Sequence, residues 1–81
     1  MKITVHLRYF ALLREQRGLA TETLVTSAAD AATLYGELAA QHGFTLPVDR
    51  LRVAIDGAFV PWPAPLHEGA QLVFIPPVAG G

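Results

Sequence analysis

The residues that could do chemistry in this chain are few and scattered. Its three histidines, His6, His42 and His67, have no neighbour at a metal-ligand spacing such as His-x-x-x-His. They read as ordinary structural residues on a strand, at a helix end and in a turn, and the helix dipole alone favours the second of these. Ser27 is the one serine, and nothing near it suggests a triad. Glu15, Glu22, Glu37 and Glu68 are dispersed, with no paired-carboxylate arrangement. Gly57, Gly69, Gly80 and Gly81 form no phosphate-binding loop ahead of a helix. Cysteine is absent, which removes disulfides, thiolate metal sites and a cysteine nucleophile together. The expectation is a protein that is not an enzyme on its own and binds neither a metal nor a cofactor.

One reactive group remains, at the end Pro76-Pro77-Val78-Ala79-Gly80-Gly81. The two prolines terminate a strand, because each lacks a backbone donor and fixes its own φ. The glycines that follow can pass through a slot where any Cβ would collide. Gly81 is expected to carry a free α-carboxylate, ionised at neutral pH with a pKa of about 3.3–3.7. Such a group is a poor electrophile until an oxygen becomes a leaving group, and adenylation by an ATP-using partner would make it one. The acyl group could then accept sulfide, an amine or a thiol. The reading is a rigid domain over residues 1–75 followed by a flexible tail over 76–81.

The elements that must present this tail are legible from patterning. With 81 residues, of which 52% are hydrophobic and 16% charged, the chain has the material for one domain with a real core. Its net charge of −1 and lack of any basic run argue against nucleic acid. The N-terminus holds no signal-type apolar block, and no stretch approaches a membrane span, so a soluble, cytoplasmic protein with no membrane partner is expected.

Ile3, Val5, Leu7 and Tyr9 alternate with Lys2, Thr4, His6 and Arg8, the period-two signature of a strand with one buried face. Phe10 falls on the polar side by parity. Residues 11–17 read as a helical turn or irregular loop ending at Gly18, and Thr21–Thr26 as a strand antiparallel to the first. Asp30 is a candidate N-cap for a helix whose apolar face is Ala31, Leu34, Tyr35 and Leu38, ending before Gly43. Gly36 within it suggests close packing on the sheet. Leu51, Val53 and Ile55 mark another strand, and Asp56-Gly57 a hairpin turn into Ala58–Val60. Pro61-Trp62-Pro63-Ala64-Pro65 cannot be a central strand, and Trp62 reads as a lid over the core. Gln71–Ile75 is nearly all apolar and reads as a central strand covered on both sides. The fold class is α+β: a β-grasp, ubiquitin-like mixed sheet of four to five strands with one main helix across a face.

Three motifs then point to a family. Phe10-Ala11-Leu12-Leu13-Arg14-Glu15, Pro65-Leu66-His67-Glu68-Gly69 and the ending Phe74-Ile75-Pro76-Pro77-Val78-Ala79-Gly80-Gly81 resemble the small subunit of molybdopterin synthase, the MoaD-type sulfur carriers. The resemblance implies that an E1-like adenylyltransferase activates Gly81 with ATP. A sulfur donor, such as a cysteine desulfurase or rhodanese-like protein, then converts it to a thiocarboxylate, a C-terminal 1-thioglycine. It further implies a large catalytic subunit, assembled with the small one as a heterotetramer, in which sulfur passes to cyclic pyranopterin monophosphate in molybdenum cofactor biosynthesis. Phe10, Phe59 and Ile75 match family positions that contact both partners. Arg14, Pro76, Pro77, Val78 and Ala79 join them as candidate partner-binding residues, beside Gly80 and Gly81 as the reacting end.

Parity gives part of this surface independently. Phe10 and Ala54 lie on solvent sides of their strands, and an apolar patch follows if Val73 and Ile75 share that side. Phe59 is divided between core and interface, and Arg14 between positioning the tail, meeting an acidic partner, and solvation. Three rivals stay open. Thiamine-type sulfur carriers share the Gly-Gly end and the chemistry, but are usually shorter and lack Pro-Pro-Val. A ubiquitin-like modifier would conjugate to lysines through Gly81; the chain's single lysine, Lys2, makes self-linked chains unpromising. A plain β-grasp binding module is the third.

Overall fold

The alternation at the N-terminus becomes β1 (Ile3–Tyr9), with Val5, Leu7 and Tyr9 buried and His6 and Arg8 exposed. In the computed structural model, which describes residues 2–77, it is followed by α1 (Ala11–Arg17), β2 (Thr21–Thr26), α2 (Ala31–His42), a 3-10 turn (Val48–Arg50), β3 (Arg52–Ile55), β4 (Ala58–Val60) and β5 (Ala70–Ile75). The strands form one sheet in the order β2-β1-β5-β3-β4. β1 pairs antiparallel with β2 and parallel with β5, and β3 pairs antiparallel with both β4 and β5.

The main helix is built as its sequence dictates. The Asp30 carboxylate accepts from the Thr33 N–H at 2.8 Å, and Gly43 closes the other end at φ 72°. The first two helical N–H groups have no acceptor within a helix. The proline segment supplies them: Ala31 N–H donates to the Ala64 carbonyl at 3.3 Å and Ala32 N–H to that of Trp62 at 3.1 Å. A segment poor in donors thus serves as a row of acceptors. Ala31, Leu34, Tyr35 and Leu38 are buried against the sheet, among Val5, Leu7, Tyr9, Val53, Leu72 and Phe74. Trp62 does cover the core, stacked on Phe74 (centroids 6.1 Å, interplanar 12°) and tilted against Tyr35 at 5.7 Å.

Three expectations are corrected. Residues 11–17 form a true α-helix, although a helix this short is marginal alone. Leu13 is fully buried, and Gln16 exchanges hydrogen bonds with Thr45. At its C-terminal end Arg17 grips Glu22 through Nε and Nη2 at 2.8 and 2.9 Å, and the same carboxylate accepts from the Tyr9 hydroxyl at 2.6 Å. The hydrogen bonds from Arg17 hold the Glu22 carboxyl below its usual range. Burial, with Glu22 beside it, pushes the Tyr9 hydroxyl well above its ordinary value, so it stays a donor.

β5 is central, but only one of its faces is covered. Leu72 and Phe74 are buried while Val73 and Ile75 are half-exposed. Gly36 is exposed, and a Cβ built there meets nothing within 4 Å, so packing does not require it. Replacing a mid-helix glycine removes unfolded-state entropy at no steric cost. Gly36→Ala is therefore expected to stabilise the domain by about 1 kcal/mol, read as a higher midpoint in denaturant with an unchanged slope; a lower midpoint would show a packing role.

Candidate functional site at the open sheet face

Helix α2 covers one face of the sheet and leaves the other open. The register defines the open face row by row. Thr21, Arg8, Val73, Ala54 and Phe59 lie side by side across the five strands. Ile75 sits next to Arg52 in one neighbouring row, and His6 next to Gln71 in the other. Ala54 belongs to this face yet is only 8% exposed, because a methyl group between Val73 and Phe59 is shaded by both. Parity therefore places Ala54 correctly, while burial makes it floor rather than contact. Phe10 and Phe59 stand out, 43% and 57% exposed, well above what core aromatics show here.

Phe10 is presented by backbone geometry. It follows β1 in an extended conformation (φ −127°, ψ 155°) and precedes Ala11 at φ 50°, in the left-handed region that a residue with a Cβ enters at a cost of about 1 kcal/mol. That sharp turn lets α1 bury Leu13 while Phe10 stays outside. Phe59, whose short strand left its direction open, faces out, with the Arg52 guanidinium 4.1 Å from its ring centroid. Ile75 and Pro77 meet Phe59, Arg52 and the 3-10 turn around a depression of about 530 Å³. Pro76 is buried and Pro77 exposed, so the chain leaves the sheet at the apolar end of the open face. Arg14 is exposed on α1, away from that depression, beside Gly18 and Leu19. Val78, Ala79, Gly80 and Gly81 lie outside the described residues.

The structure therefore brings Phe59, Ile75, Pro76 and Pro77 together at one place, and Val73 shares the open face with Ile75, the condition on which the apolar patch rested. Among the described residues no group of three or more histidine or acidic side chains could hold a metal, and no helix is long and apolar enough to cross a membrane. What the surface can do is bury apolar area against another molecule.

His67 holds more than sequence suggested. Its Nε2 lies 2.7 Å from Asp56 Oδ2, and Nδ1 lies 3.0 Å from the Glu68 carbonyl oxygen. Asp56 Oδ1 also accepts the Gln71 N–H at 3.0 Å. Residues distant in sequence thus clasp the β3–β4 turn to the start of β5. No spacing pattern signals this, since the register of β3 on β5 creates it.

This fold, with its open face and terminal strand beside the first, is that of a ubiquitin-like β-grasp protein of the MoaD/ThiS type. Residues 7–81 match the ThiS family, and the chain belongs to it. Among solved structures it is similar to SAMP1 from Haloferax volcanii, at 24% identity over 96% of this chain and 99% of that one, with a TM-score of 0.77. It is also similar to a putative molybdopterin converting factor subunit 1 from Pyrococcus furiosus (24% identity, 94% and 99% covered, TM-score 0.75). A chain of the complex of subunits 1 and 2 of molybdopterin-converting factor from Helicobacter pylori 26695 aligns at 24% identity, covering 98% and 100%, with a TM-score of 0.66. At these identities the likeness is one of fold. No curated protein sequence matches the chain.

The clasp generates a pH dependence. The Glu68 carbonyl, then Asp56, raise the His67 pKa above 6.5, and the Gln71 N–H, then His67, lower the Asp56 pKa below 3.8. Stability from the histidine is full below about 6.5 and is lost as pH rises through its raised value. Stability from Asp56 is full above about 3.8 and is lost as pH falls through its lowered value. Both groups face solvent, so the effect is small. Unfolding midpoints should decline gently from pH 6 to pH 8 in the wild type and not in His67→Ala; equal declines in both would remove the clasp as the cause.

Proposed function

We propose that this protein is the sulfur-carrying small subunit of a molybdopterin synthase. An E1-like adenylyltransferase would use ATP to form an acyl-adenylate at Gly81. A cysteine desulfurase or rhodanese-like donor would present a cysteine persulfide whose terminal sulfur attacks the acyl carbon and displaces AMP. A thiol would then reduce the resulting acyl disulfide, releasing the donor cysteine and leaving the thiocarboxylate Gly81–COSH. A large subunit would then receive the tail, and its own side chains would catalyse transfer to cyclic pyranopterin monophosphate. On this reading the small subunit contributes no catalytic side chain, and the working complex is a heterotetramer in the cytoplasm.

The observation that carries the reading is the apolar edge formed by Phe59, Ile75, Val73 and Pro77 where the chain leaves β5. It gives the Gly-Gly tail a docking surface at its base, which a carrier visiting two partners requires. The three sequence motifs and the structural neighbours drawn from molybdopterin converting factors support the same choice. A second reading has support of its own. The likeness to small archaeal modifier proteins is as strong, with a TM-score of 0.80 for that of Methanosarcina acetivorans. A modifier would use the same adenylated Gly81 and the same docking face, but pass the acyl group to a lysine.

Reconstitution with the adenylyltransferase, a sulfur donor and the large subunit distinguishes them. The full chain is expected to support molybdopterin formation, and deletion of Gly81 to abolish it. Production that survives the deletion would show that the tail is not the working part.

A further inference from the structure

The open face carries a charge pattern that the docking reading does not by itself require. Of the chain's seven acidic side chains, the only one within a strand is Glu22, and it points away from this face, bonded to Tyr9 and Arg17. Arg8 and Arg52 both lie on the open face, one on each side of β5, in register with Val73 and Ile75. Among the described residues the ion pairs are Arg17–Glu22 and His67–Asp56, and neither arginine takes part in them. Arg52 is instead laid over Phe59, which fixes its charge at the rim of the apolar depression. Asp49 and Arg50 also line that depression, so among the described residues three guanidinium groups, Arg8, Arg50 and Arg52, stand against one carboxylate around this apolar surface, in a protein of net charge −1.

We propose, building on the docking role assigned above, that Arg8 and Arg52 are an electrostatic frame for that face, and that the partner protein seated on it presents carboxylates on both sides of an apolar centre. With Asp49 the one carboxylate lining the depression, the excess of guanidinium groups suits a partner that supplies carboxylates. Carboxylates meeting guanidinium groups at an interface rim steer encounter and fix orientation, while the apolar centre supplies most of the dwell time. Two arginines across a strip of Val73, Ile75 and Phe59 suit a protein surface better than a phosphate backbone, which demands a longer basic track.

The test is stopped-flow association with the purified large subunit of molybdopterin synthase from the same organism, at stepped ionic strength. The wild-type association rate is expected to fall as salt rises. Arg8→Glu with Arg52→Glu should lower that rate by about tenfold or more at low salt and flatten its salt dependence. The neutral pair, Arg8→Gln with Arg52→Gln, should fall between, and serves if the reversed pair unfolds. Ile75→Lys should instead accelerate dissociation. If the arginine variants associate at the wild-type rate while Ile75→Lys still weakens binding, the frame is wrong and the docking reading stands. If Ile75→Lys also binds normally, the docking reading itself fails. Self-association of the neutral pair with unchanged binding would assign the arginines to solubility and overturn the proposal, as would arginine-dependent binding of an RNA oligomer in place of the large subunit.

Discussion

The parallel pairing of β5 with β1 is the constraint on which the rest of the structure depends. A parallel neighbour cannot be reached through a hairpin, so nearly the whole chain is spent between the two strands. That intervening length supplies β2 on one side, α2 across one face, and the β3–β4 hairpin on the other side. Because β5 comes last and lies centrally, the chain must leave from the middle of the sheet. Pro76 and Pro77 then end the ladder, since neither can donate to a neighbouring strand.

The core fixes which face of β5 is spent on folding. Phe74 is surrounded by Tyr9, Tyr35 and Trp62 at ring-centroid distances of 6.3, 5.4 and 6.1 Å. Aromatic pairs at such separations stabilise beyond their buried area, and they leave β5 no freedom to slip. A one-residue slip would drive Phe74 outward and Val73 inward. The register that buries Phe74 is therefore also the register that exposes Val73 and Ile75 beside Phe59. On the proposed reading, stability and docking are written on alternate residues of one strand.

Much of this was legible in the sequence, for reasons that can be named. Strict alternation in Ile3–Tyr9, the Asp30 cap with its Leu34, Tyr35 and Leu38 stripe, and the Asp56-Gly57 turn are local signals, and each formed the element it encodes. What sequence could not reveal is held by tertiary contact. The helix at residues 11–17 exists because Leu13 finds the core and Gln16 finds Thr45. The direction of Phe59 depends on pairing with Ala54, and the His67–Asp56 clasp on how β3 meets β5. The most instructive difference is β5 itself. Its apolar run implies two covered faces, yet one is open, and the missing cover is what a docking partner would provide.

The central claim is that Gly81 carries sulfur, and the intact mass of the protein purified from its native host tests it most directly. The account predicts a species heavier than the plain chain by the exchange of one oxygen for one sulfur at the C-terminus. Isopeptide-linked adducts through Gly81, with no sulfur-bearing form, would contradict it.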